Sequence, residues 1–188
     1  MISHRRHTVS HRSYRRQRGF TLQELVVSLA IGSGVTTGAT SLYTLVQDTK
    51  LTTAANELVA HMNLARSEAI MRGHEIVLCA SGGGSECAQG GGSVSWQNGY
   101  QIYANTDNDS ARDANESTLR VHNGYGSGIA VRSNRGGKLT FKPTGVSPGS
   151  TITVAFCGTG GRKQERYVVV QNGGRARVAQ RSDSNVRC

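Results

Sequence analysis

An arginine-rich start that gives way at one glycine to a long, mainly apolar run constrains this chain more than any other feature. The first nineteen residues hold six arginines and no acid, so the segment cannot be buried and would stay on the cytoplasmic side of a membrane. From Phe20 the character reverses, and Phe20-Thr21-Leu22-Gln23-Glu24-Leu25-Val26-Val27-Ser28-Leu29-Ala30-Ile31 carries a single carboxylate, Glu24. A secretory signal is cut at small residues beyond its apolar region, whereas here the glycine, Gly19, stands in front of it. An ordinary signal peptide therefore fits poorly, and the junction reads as a processing site joined to a membrane address.

The apolar stretch from residue 20 to about residue 46 is long enough to cross a bilayer once. Gly32, Gly34 and Gly38 with Thr36, Thr37 and Thr40 weaken a helix in its middle. A carboxylate within hydrocarbon costs roughly 3 kcal/mol on insertion scales, which makes Glu24 a functional candidate; the alternative is a side chain that snorkels to the interface. Over residues 47–72, Leu51, Ala55, Leu58, Met62, Ala65 and Ala69 recur at spacings of four and three. That stripe predicts an amphipathic helix packed on a globular domain, stopping at Gly73. Residues 20–72 thus form one long helix after a leader at 1–19.

Residues 73–188 lose the helical period. Short runs at 75–80, 94–103, 118–122, 128–133, 138–142, 151–157, 165–171 and 175–180 alternate with turn-forming residues and predict strands. The expected class is α+β, a long N-terminal helix packed on an antiparallel sheet domain that ends in a basic tail. Gly82-Gly83-Gly84 and Gly90-Gly91-Gly92 lack the lysine and the strand-to-helix setting of a phosphate loop. No nucleophile elbow appears, and three of the six histidines lie in the leader, leaving His61, His74 and His122 scattered. Neither an enzyme nor a cofactor is expected.

Charge is unevenly distributed. Residues 20–116 hold four Lys/Arg against ten Asp/Glu, a net of −6, whereas residues 117–188 hold twelve against two, a net of +10. A polyanionic partner for the C-terminal part is the physical implication. Cys79, Cys87, Cys157 and Cys188 make an even set in a chain that leaves the cytoplasm, which favours disulfides. Three pairings are open. Cys79 with Cys87 and Cys157 with Cys188 is preferred, because the first closes a local loop and the second ties down a tail. Zinc has no CxxC or paired-histidine spacing behind it.

Asn105, Asp107, Asp109, Asp113 and Glu116 occupy the first, third, fifth, ninth and twelfth positions of an EF-hand-like loop. Ser110 stands where the sharp-turn glycine belongs, so an acidic surface loop is the plainer reading and calcium the alternative.

The Gly19-Phe20 junction with Glu24 five residues after the glycine resembles the class III leader of type IV pilins and type II secretion pseudopilins. The resemblance implies cleavage between Gly19 and Phe20 by prepilin peptidase, N-methylation of Phe20, and an assembly role for Glu24 against a neighbouring subunit's N-terminal amine. Leu64-Ala65-Arg66-Ser67-Glu68-Ala69-Ile70, Trp96-Gln97-Asn98-Gly99-Tyr100 and Phe141-Lys142-Pro143-Thr144-Gly145 narrow it to the FimT/GspH-type minor pilins. Their fold is implied, together with an inner-membrane, single-pass location, a periplasmic ectodomain, exposure at the cell surface within a pilus, and other pilins as partners.

Gly174-Arg175-Ala176-Arg177 resembles the GRxR signature that, in FimT-type DNA-uptake pilins, marks a site for double-stranded DNA. In an extended segment alternate arginines share a face about 6 to 7 Å apart, close to the spacing of successive phosphates. Guanidinium forks suit phosphate, and the adjacent glycines are expected to let the backbone approach and donate hydrogen bonds. Arg181 and Arg187 on the tail would extend the patch. The same arginines also suit the solvated face of an edge strand, where charge discourages aggregation. DNA capture for natural transformation is the first reading, and a structural minor pilin or pseudopilin without DNA binding is the alternative.

Overall fold

The computed structural model describes residues 19–82, 87–88, 96–109, 112–149, 151–159, 164–179 and 186–188, apart from the side chains of residues 32–43. The chain forms two compact units, Met1–Ser41 and Leu42–Cys188. Helix α1, Leu22–Arg72, runs through both.

In the first unit α1 opens on a reciprocal cap. The Glu24 amide donates to Thr21 Oγ1 at 3.3 Å, and the Thr21 amide donates back to Glu24 Oε2 at 3.3 Å. Two amides that the helix cannot satisfy internally are thereby satisfied. Phe20, Leu22, Leu25, Val26, Val27, Leu29 and Ile31 are all exposed. An apolar surface so continuous marks a segment that something else covers. Among the described residues no helix is long and apolar enough to cross a membrane; much of the span expected at residues 20–46 lies outside the described side chains.

In the second unit the remainder of α1 turns one stripe inward. Leu51, Ala55, Leu58, Met62, Ala65 and Ala69 are fully buried. The helix ends where Gly73 takes φ +68 and its amide bonds to Ala69 O at 3.1 Å, a left-handed stop that glycine adopts without strain. Eight strands follow: β1 Glu75–Ala80, β2 Tyr100–Asn105, β3 Thr118–His122, β4 Ile129–Ser133, β5 Lys138–Phe141, β6 Ile152–Gly158, β7 Glu165–Val170 and β8 Ala176–Ala179. They form two antiparallel four-stranded sheets, ordered β3-β2-β1-β5 and β4-β6-β7-β8.

One apolar core joins the three layers. The α1 stripe shares it with Ile76, Leu78, Ile102, Leu139 and Phe141 of the first sheet and with Val131, Val154, Phe156, Val168 and Val170 of the second. Each sheet alternates, so its other face carries a smaller cluster. On the first sheet this is Val77, Cys79 and Tyr103 with Cys87; on the second it is Ala155, Cys157, Tyr167, Val169 and Ala179 with Val186 of the tail. Disulfides Cys79–Cys87 and Cys157–Cys188 fasten both coverings. The preferred pairing is the one present.

The strand expected over residues 94–103 is displaced. Residues Trp96–Asn98 form a 3-10 turn, and β2 continues to Asn105. Gln97 explains the difference. Its Nε2 donates to Tyr125 O at 3.1 Å and Ile129 O at 3.0 Å, and its Oε1 accepts from the Val131 amide at 2.8 Å. These three bonds from one side chain pin the turn against β4 and the connection before it, and buried Trp96 anchors it from the core side.

Candidate nucleic-acid interface

The segment around Arg175 is built by two turns that lock together. The β5–β6 connection and the β7–β8 turn meet where the Ser147 amide donates to Asn172 O at 2.8 Å. Gly174 is buried there at φ +72, and a Cβ placed on it would come within 2.1 Å of Gly145 O. Arg66 of α1 closes the junction, its Nε donating to that same Gly145 oxygen at 2.8 Å. The Gly174 amide is already committed, donating to Gln171 O at 2.8 Å. This corrects the expectation that the Gly174 N–H is available to a phosphate: the amide is turned to Gln171, and the glycine holds the two turns together just before Arg175.

Beyond this support the chain emerges. Arg175 is exposed just before β8, and Arg177 is exposed on β8, an edge strand. Register places Arg177 opposite Val169, and Val169 opposite Thr153, so Arg177 lies on the sheet face turned away from α1. The tail returns over that face. Val186 packs with Ala155, Tyr167 and Ala179, Cys188 bonds to Cys157, and Arg187 between them is exposed. Arg181 lies outside the described residues.

The rest of the regional basic excess divides sharply. Arg166 turns to the helix side, where its Nη2 meets Asp48 Oδ1 at 2.6 Å and its Nε donates to Thr52 Oγ1 at 3.2 Å. Lys142 pairs with Glu75. Arg135 donates to Gly149 O. Arg162 and Lys163 lie outside the described residues. Arg132, on β4, is exposed and sits opposite Ala155, which sits opposite Tyr167; it therefore shares the outward face with Arg177. Only the pairing register reveals this, and no sequence spacing signals it.

The acidic loop does not gather its five candidate ligands. Asn105 and Glu116 are buried and serve the loop's own backbone. Glu116 Oε1 accepts from the Thr106 amide and Oε2 from the Asp113 amide, each at 3.0 Å, and Asn105 Oδ1 accepts from the Asn108 amide at 2.9 Å. Asp107, Asp109 and Asp113 remain exposed with oxygens within 4.8 Å of one another. An EF-hand spends its twelfth-position glutamate on the ion, whereas here that carboxylate is spent on two amides.

His61 and His122 are not scattered, as sequence spacing suggests, but share a half-buried aromatic cluster around the buried Tyr100. His61 Nδ1 lies 2.6 Å from Tyr100 Oη, and the His122 ring stacks on Tyr100 with centroids 5.0 Å apart. Burial lowers the His61 pKa, opposed by the nearby Glu57 carboxylate, and burial raises those of Tyr100 and Tyr125. The cluster packs α1 to the first sheet.

A family model described as type II transport protein GspH matches residues 54–174. The chain belongs to the GspH family. The prokaryotic N-terminal methylation motif matches residues 14–40, across the Gly19-Phe20 junction. Among solved structures the chain is similar to the type IV minor pilin FimU of Pseudomonas aeruginosa strain PAO1, at 26% identity and TM-score 0.56, covering 71% of this chain and 91% of that one. A second crystal form of FimU gives 26% identity and TM-score 0.53 over 70% and 94%. The minor pseudopilin EpsH of the Vibrio cholerae type 2 secretion system matches at 14% identity and TM-score 0.46, over 69% and 96%. No curated protein matches the chain. The fold is that of type IV pilin-like minor pilins, and the GspH match ends at Gly174, one residue before Arg175.

Proposed function

We propose that this GspH-family protein is a minor pilin whose second unit captures double-stranded DNA without sequence preference for uptake in natural transformation. The observation that carries the reading is the exposure of Arg175, Arg177 and Arg187 beside one sheet, with the tail held over that sheet by Cys157–Cys188. Phosphates require no base-edge readout, so such a patch binds duplexes generally and releases them as salt rises. Prepilin peptidase cleaves between Gly19 and Phe20, Phe20 is then N-methylated, and the apolar start of α1 anchors the subunit in the inner membrane before it joins other pilins in a filament. On this reading Glu24 exchanges its cap on Thr21 for a neighbour's terminal amine during assembly.

A structural minor pilin or pseudopilin is the second reading. Its support is the position of Arg177 on an edge strand, where a cation discourages unwanted pairing.

The test uses the chain from Phe20, which keeps every described helix and strand but omits the arginine-rich leader. Binding to a duplex is measured at two salt concentrations in detergent, beside Arg175→Ala/Arg177→Ala. Micromolar binding that weakens with salt and is largely lost in the double variant supports DNA capture. No binding at low salt leaves the structural role.

A further inference from the structure

The outward face of the second sheet has two rims. On the β8 rim stands Arg177, with Arg175 exposed just before the strand, and on the β4 rim stands Arg132. Between them β6 and β7 present Thr153, Ala155, Tyr167 and Val169 beside Glu165, and the end of the tail is held there by Val186 and Cys188, with Arg187 exposed. Three interstrand steps separate β4 from β8, or about 14 Å across the sheet. Glu165 is the acid described on this face, and its Oε2 accepts from Tyr167 Oη at 2.8 Å. Two other cations of the region, Lys142 and Arg166, are paired with Glu75 and Asp48.

We infer that Arg132 is a further DNA contact, and that the site spans the sheet from β8 to β4 so as to hold two phosphate chains of one duplex. This rests on the DNA-binding reading above. A rigid duplex presents two backbones flanking a groove about 12 Å wide on its major side, a separation that arginines on opposite rims can bridge. A single strand offers one backbone, which the β8 rim and tail engage alone; bending it to the far rim forfeits chain entropy. Arg132 therefore selects duplex over single strand, while Arg175 and Arg177 serve both.

Fluorescence anisotropy with a labelled duplex and a labelled single strand of equal length tests this on the chain from Phe20. Arg132→Ala is expected to weaken duplex binding roughly threefold to tenfold and to flatten its salt dependence by about one phosphate contact, with single-strand binding held within about twofold. Arg132→Lys restores most of the loss. Lys50→Ala removes the same charge from α1, on the opposite side of the sheets, and leaves both affinities unchanged. Equal loss for duplex and single strand, or a loss matched by Lys50→Ala, overturns the inference. If Arg132→Ala binds like wild type while Arg175→Ala/Arg177→Ala does not bind, the second rim is refuted and DNA capture stands. Absence of wild-type binding removes both.

Discussion

The α-carbon of Gly174 lies so close to the carbonyl of Gly145 that no other residue fits between them. A Cβ on Gly174 would come within 2.1 Å of the Gly145 oxygen, which Arg66 also binds. Three chain segments distant in sequence meet at that oxygen, and the exposed arginines follow directly from it.

Gly174→Ala is accordingly expected to cost at least about 2 kcal/mol, through the positive φ and the backbone clash together. Gly173→Ala next to it, where a Cβ meets open space, should change stability by less than about 0.5 kcal/mol. Urea unfolding of the two variants measures the contrast. Equal stabilities would show that the turn relaxes without strain.

Removing the tail's staple should matter for stability and binding separately. The Cys157–Cys188 bond closes a separation of 31 residues, for which chain entropy assigns about 3 to 4 kcal/mol. Cys157→Ser/Cys188→Ser should therefore lower the Tm. Its duplex affinity, measured below the new Tm, should fall less than that of Arg175→Ala/Arg177→Ala, because β8 keeps its ladder to β7 without the tail.

Glu116 works as a fastener for the acidic loop. Glu116→Ala leaves the Thr106 and Asp113 amides without their partner, a loss of about 2 to 4 kcal/mol. Asp107→Asn, at an exposed carboxylate, should stay within about 0.5 kcal/mol. Denaturant midpoints with and without calcium check both, and a large calcium-dependent stabilisation would contradict the fastener role.

The half-buried His61 predicts an acid-side weakness. Its folded pKa is lowered from 6.5 by burial, so the unfolded chain binds the proton more readily. Stability is full above about pH 6.5 and declines as pH falls from there through the lower folded value. His61→Gln should flatten that decline while costing stability at neutral pH through the lost Tyr100 contact. Thermal melts at pH 5 to 8 distinguish the two effects.

Much of this architecture was legible because burial imposes periods that sequence records. The Leu51-to-Ala69 stripe repeats at helical spacing and is fully buried, and the edges of seven of the eight strands fall within two residues of the alternating runs. The exception, near Trp96, failed because an apolar run cannot disclose that Gln97 has a bridging side chain. Arginines were legible as a regional excess but not as a surface. Arg132 and Arg177 are 45 positions apart, and only the register across β6 and β7 puts them on one face, whereas Arg166, equally basic by count, faces the helix and Asp48. The sequence names Gly174 without naming the carbonyl it abuts, so the commitment of its amide to Gln171 is visible only in the fold.

The two sheets are separate ladders that share a core with the single stripe on α1. A tensile load entering through that helix would therefore be borne first by interdigitated Leu51, Leu58 and Met62, sliding in shear, and not by strand hydrogen bonds pulled open one at a time. Side-chain packing then sets how much force the second unit withstands, and trimming a single methionine from the stripe would soften the whole unit mechanically while leaving its outward arginines chemically intact.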